Sequence, residues 1–295
     1  MRNIIPTYIS GIKLLFLKWK AWLIVLACNI IFAMLIAKPF NSLLDTVSGH
    51  SEAPLLGLLR FDFNFIADVI NNHGSELQVL VGQAAVYAFV YLLLNIFLSG
   101  GLIESYLHVF ERFEFRKFWF NCAKHFWRLF RLALYFIGAQ LFVLGTCIFV
   151  YTKLGLSPFE LESDGDLIFR TRVIFAVFIV LMAWTDMVNE YAKVKVVSSS
   201  EGKFILPILI SVKYFCLKHF FPILLLFLLC VLSFLLILGL YSLVNNIFVM
   251  TSLSSIILAL IIGQIYLFLR IGTRLLFTST AVDYLRSTHW GKDRS

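Results

Sequence analysis

The chain has 295 residues, 60% hydrophobic and 14% charged, with a net charge of +8 and a mean hydropathy of +0.89. A soluble domain carries about 25% charged residues. Here the apolar excess is gathered into long uncharged runs, which excludes a water-soluble fold and indicates a polytopic membrane protein.

Six runs read as transmembrane helices: 21–37, 79–98, 132–151, 173–192, 221–240 and 253–269. Each is near the roughly 20 residues that cross about 30 Å of hydrocarbon. The first follows Lys13, Lys18 and Lys20 and is closed by Lys38 without a small-residue cleavage site, so it reads as a retained signal anchor. The expected fold class is an all-α integral membrane bundle, a single domain of six spans in three hairpins with interfacial amphipathic helices.

The connections on one side are acidic or uncharged. Residues 38–78 hold Asp45, Glu52, Asp62, Asp68 and Glu76, and the apolar pieces 55–59 and 63–70 are expected to lie on the membrane as short helices. His50 and His73 share this loop at no metal-ligand spacing and read as solvated. Residues 152–172 form a turn-rich acidic loop around Pro158, and 241–252 form a tight turn at Asn245 and Asn246. This side carries 5 Lys or Arg and the other carries 20. The asymmetry places both termini in the cytoplasm. It also accounts for the net charge, so no nucleic-acid partner is expected.

The cations on the basic side form a pattern. In 115–131, Lys117, Asn121, Lys124, Arg128 and Arg131 recur at helical steps of four and three, opposite Phe115, Trp119, Cys122, Phe126 and Leu129. That pattern predicts a helix lying at the membrane surface, with its basic face on anionic headgroups. Reduced versions precede the first and fifth spans: Lys13 and Lys18 match Lys213 and Lys218 in spacing, and Cys122-Ala-Lys-His125-Phe matches Cys216-Leu-Lys-His219-Phe. Three internal repeats follow, at 8–112, 113–203 and 204–290. The five cysteines contain no CxxC pair, so no disulfide framework is expected. The lysine inside each Cys/His pair argues against a metal.

Ionisable residues persist inside the apolar pattern at the basic ends of the even spans: Glu104, Asp186 and Glu190 one turn apart, and Arg270 and Arg274 likewise. Counting along the helices puts Asp186 and Arg270 at similar depth. The expectation is a carboxylate–arginine network, acting either as a staple or as the mouth of a cytoplasm-open cavity. Asn29, Gln83, Asn95, Gln140 and Gln264 lie deeper, as interhelical hydrogen-bonding groups or lining for a polar path. Gly100 and Gly101 are expected at a kink or close helix contact, and Gly138 at a packing point. No GxSxG, HExxH, Walker A or GxGxxG sequence occurs, so no catalytic residue, metal or cofactor is assigned.

Six spans in hairpins, Gly100-Gly101 near the end of span two, and Asp186 followed by basic residues to Lys195 resemble the membrane domain fused to some bacterial glycerophosphodiester phosphodiesterases and its stand-alone relatives. The resemblance implies a bacterial plasma-membrane protein. It carries over no catalytic residues, because the soluble phosphodiesterase domain is absent from this chain. The leading expectation is a non-enzymatic scaffold or accessory subunit that binds lipid, a partner membrane protein or a second copy. The alternatives are a small transporter or lipid-translocating protein with a cytoplasm-open cavity, and an intramembrane enzyme.

Overall fold

A computed structural model describes residues 4–48, 71, 74–153, 164–199, 206–247 and 253–288. Among them helix accounts for 95% and no strand occurs. Eight helices are described: α1 (Ile4–Leu17), α2 (Trp19–Ser48), α3 (Gly74–Leu107), α4 (Phe115–Lys153), α5 (Asp164–Ser198), α6 (Leu206–Lys218), α7 (Phe220–Ile247) and α8 (Leu253–Ser287). Six of them, α2 to α5, α7 and α8, are long and apolar enough to cross a membrane, and the protein is an integral membrane protein. His50, His73, the pieces 55–59 and 63–70, and residues 154–163 of the loop around Pro158 lie outside the described residues.

Every spanning helix runs beyond the span read from hydropathy. On the basic side, α3 continues to Leu107, α5 to Ser198 and α8 to Ser287. The largest difference is at 115–131. That segment is not a separate surface helix but the start of α4, a single helix of 39 residues. No Pro or Gly interrupts it before Gly138, so nothing stops the backbone ladder where the apolar run begins. At 1.5 Å per residue α4 is about 58 Å long, more than the roughly 40–45 Å of a whole bilayer. Its basic start extends the span lengthwise.

The other two lead-in segments are separate short helices. Pro222 stands in the first turn of α7 and has no N–H to give to the carbonyl of Lys218, which separates α6 from α7 at His219. Between α1 and α2 the break falls at Lys18, where the Ala21 amide bonds the Lys18 carbonyl at 2.9 Å. The Lys18 ammonium reaches away to the carbonyls of His108 at 3.0 Å and Glu111 at 2.6 Å.

Two compact units are present: residues 23–95, and residues 1–22 with 96–295. Within the first, the Tyr91 hydroxyl donates to Asn29 Oδ1, Asn29 Nδ2 donates to the Val25 carbonyl at 2.7 Å, and Phe32 packs on Tyr91. In the second, α8 packs against α1, α5 and α7, and α5 packs against α4 and α6. Glycines set the closest approaches. Gly272 makes room for the Trp22 ring, which stacks on Phe268 and donates Nε1–H to its carbonyl at 3.2 Å. At Gly11, α1 lies against Thr280, and Ser279 Oγ donates to the Gly11 carbonyl at 3.0 Å. Gly100 and Gly101 mark a close contact and not a break: a Cβ at Gly101 would meet the Phe118 carbonyl oxygen at 2.7 Å.

The core of this unit lies mostly outside the apolar runs. Leu102, Ile103, Tyr106, Phe118, Leu129, Met187, Tyr191, Val194, Val196, Leu276 and Val282 are all buried. By contrast, Gly138 meets nothing within 4 Å and is not a packing point. Gly101→Ala is expected to lower stability by about 1–3 kcal/mol through overpacking. Gly138→Ala is expected to leave it unchanged or raise it by up to about 1 kcal/mol through helix propensity. Thermal unfolding of the two variants in one detergent checks the contrast.

Candidate functional site

The buried stripe of α4 is Phe118, Cys122, His125, Leu129, Leu132 and Phe136. It faces Gly100 and Gly101, whose missing side chains let α3 approach. One turn beyond Gly100, Glu104 is carried into this contact. Its Oε2 stands 3.7 Å from His125 Nε2 and its Oε1 stands 3.9 Å from His108 Nδ1. Glu104 is 7% exposed and His125 2%, and Glu104 Oε2 accepts no hydrogen bond from any described residue. A buried carboxylate oxygen without a donor is costly.

Glu104 lines a half-open cavity of about 200 Å³ beside the turn 108–114 and the first turn of α4. Lys18, Glu111, Arg112, Glu114 and Lys117 complete its charged wall. Lys117 pairs with Glu114 at 3.2 Å and Glu111 at 3.7 Å. Lys18 is held by the two turn carbonyls; its burial pushes the ammonium below its ordinary pKa, and the nearby Glu111 carboxylate works the other way. A buried carboxylate between two imidazoles, opening on a charge-balanced wall, suits a small polar ligand with hydrogen-bond donors.

A second polar group joins α4, α5 and α8. Gln140 Nε2 donates to Asp186 Oδ1 at 2.8 Å. Glu190 accepts from Lys193 Nζ at 2.6 Å and from Thr278 Oγ1 at 3.0 Å. The expected ion pairs to arginine are not formed among the described residues: Arg274 acts on both carboxylates only through space, and Arg270 forms no ion pair. The carboxylates are already taken by donors from α4, α5 and α8 (Gln140 on Asp186, Lys193 and Thr278 on Glu190), while Arg270 and Arg274 stand exposed on α8. Glu104 belongs to the other site, with the two histidines.

The remaining candidates are dispersed. Asn95 Nδ2 bonds the Tyr91 carbonyl at 2.8 Å, while Gln83 and Gln264 are exposed on their helices and line no described cavity. On the basic stripe, Lys124 and Arg131 are exposed, but Arg128 donates to the carbonyl and hydroxyl of Ser199, both at 3.0 Å. Arg128 therefore caps the end of α5, where helix carbonyls lack partners. The two Cys/His pairs do not converge. Cys216 is buried, which pushes its thiol up to about 12, and His219 bonds Tyr284 at 3.3 Å. Among the described residues no three His, Cys, Asp or Glu side chains converge on a metal position.

The pairing of Glu104 with His125 escaped the sequence reading, although its signal is there. His125 falls on the four-three-four stripe of Phe118, Cys122, Leu129 and Leu132, and only its basic neighbours suggest a surface position. No family model, curated protein or solved structure matches the chain.

Asp186→Asn combined with Arg270→Gln is expected to be additive in unfolding free energy to within about 0.5 kcal/mol. Glu190→Gln with Thr278→Val is expected to couple by about 0.5–3 kcal/mol. Double-mutant cycles in detergent distinguish the two pairs.

Proposed function

We propose that the protein is a non-enzymatic, membrane-embedded scaffold or accessory subunit that holds lipid or a partner membrane protein along the faces of its spans. The observation that carries this reading is the exposure of α4 and α5. The two helices pack on each other, yet only 6% of the most apolar stretch of each is buried. Phe142, Ile148, Phe149, Phe175, Val177 and Val180 stand exposed along them. Such surfaces need apolar cover, from acyl chains or from another helix.

The reading places the chain in a bacterial plasma membrane with both termini in the cytoplasm. The skew of Lys and Arg to one side supports that orientation, and the likeness of Gly100-Gly101 and Asp186–Lys195 to the phosphodiesterase-linked membrane domain supports the setting. On the cytoplasmic face the exposed Lys124 faces anionic headgroups, at about 1 kcal/mol per cation.

Purification of the native protein in a mild detergent, followed by mass spectrometry of bound lipids and proteins, tests the reading. Stoichiometric lipid or a recurrent membrane-protein partner is the expected result. A monodisperse monomer carrying neither would overturn it.

A further inference from the structure

We propose that the cavity at Glu104 is a binding site for a small zwitterion that carries a primary ammonium and an anionic group. The inference does not rest on the span faces discussed above.

Four observations carry it. First, Glu104 is more than nine-tenths buried and lines the cavity together with His108, whose Nδ1 stands 3.9 Å from Glu104 Oε1. That separation is beyond hydrogen-bond distance. An ammonium in the cavity gives the carboxylate an N–H donor, in a charge-assisted bond.

Second, the wall is charge-balanced, with Glu104, Glu111 and Glu114 against Lys18, Arg112 and Lys117. A simple cation would unbalance it, and so would a simple anion. Third, most of these charges are already engaged: Lys117 with Glu111 and Glu114, and Lys18 with two backbone carbonyls. Glu104 inside, flanked by His108 and His125, and Arg112 at the exposed turn form the two poles. An ammonium at Glu104 and a phosphate or carboxylate toward Arg112 match them, because a guanidinium is suited to planar or tetrahedral oxyanions.

Fourth, the cavity volume of about 200 Å³ is below the roughly 300–1,000 Å³ of sites for drug-sized ligands. It suits an amino acid or a lipid headgroup. Both sources offer the same chemistry.

The test uses the full chain in phosphatidylcholine nanodiscs, titrated calorimetrically with phosphoethanolamine. Saturable binding is expected. Phosphocholine, whose quaternary nitrogen has no N–H, is expected to bind at least about tenfold more weakly, as is phosphoethanolamine to Glu104→Gln and to Arg112→Gln. Arg112 lies on an exposed turn, so its variant carries the test if Glu104→Gln fails to fold. Repeating the titration in discs containing phosphatidylethanolamine separates the sources: loss of binding identifies a lipid headgroup, and unchanged binding identifies a free zwitterion. No saturable binding in phosphatidylcholine discs would overturn the proposal. Binding that Arg112→Gln and a folded Glu104→Gln leave intact would do the same.

Discussion

A backbone amide finds no partner in hydrocarbon, so each of the six apolar runs has to close its hydrogen bonds within itself. That constraint makes the chain helical, but it does not say how the helices meet. Inside a bilayer, an apolar side chain gains little by leaving lipid for protein. Where the helices leave the hydrocarbon, burial regains its hydrophobic driving force. The distribution of packing follows from this difference. The apolar stretches of α4 and α5 are almost unburied, whereas their basic-side portions, from Phe118 to Leu132 and from Met187 to Val197, supply much of the core.

Close approach in that core depends on small residues and on polar groups that reach across it. Gly101 admits Phe118 and Cys122, and Gly272 admits Trp22. Lys18 fastens the joint of α1 and α2 to the turn before α4, and Arg128 closes the open end of α5. These cations are counted by the orientation rule, yet they also do structural work on protein carbonyls. The same glycine contact that joins α3 to α4 carries Glu104 into its cavity, so the candidate site depends on the packing.

The spans were legible in the sequence because an uncharged run of about 20 residues has few other uses. The core was not. Val194 and Val196 alternate with Lys193 and Lys195, and Leu275 follows Arg274, so hydropathy averaging hides the buried positions among charges. The amphipathic stripe at 115–131 was read correctly as helical, but the same stripe serves a helix on a surface and one packed at the end of a span. Only the absence of a breaker before Gly138 distinguishes them. Depth along a helix, used to bring Asp186 to Arg270, fixes height but not the direction a side chain faces. Gln140 and Thr278 reach the two carboxylates from the helices packed on α5. Arg128 and Ser199 are 71 residues apart, a separation that no local pattern records.

A protein that packs at its basic end and leaves its apolar lengths to their surroundings is suited to holding something beside it in the membrane. The most direct test of that account is footprinting in bilayers with phospholipids that carry a photoactivatable diazirine on the acyl chain. The account predicts labelling along 141–150 and 173–181 and none at 187–197 or 275–285. Protection of 141–150 and 173–181 in the isolated protein, or strong labelling at 187–197, would contradict it.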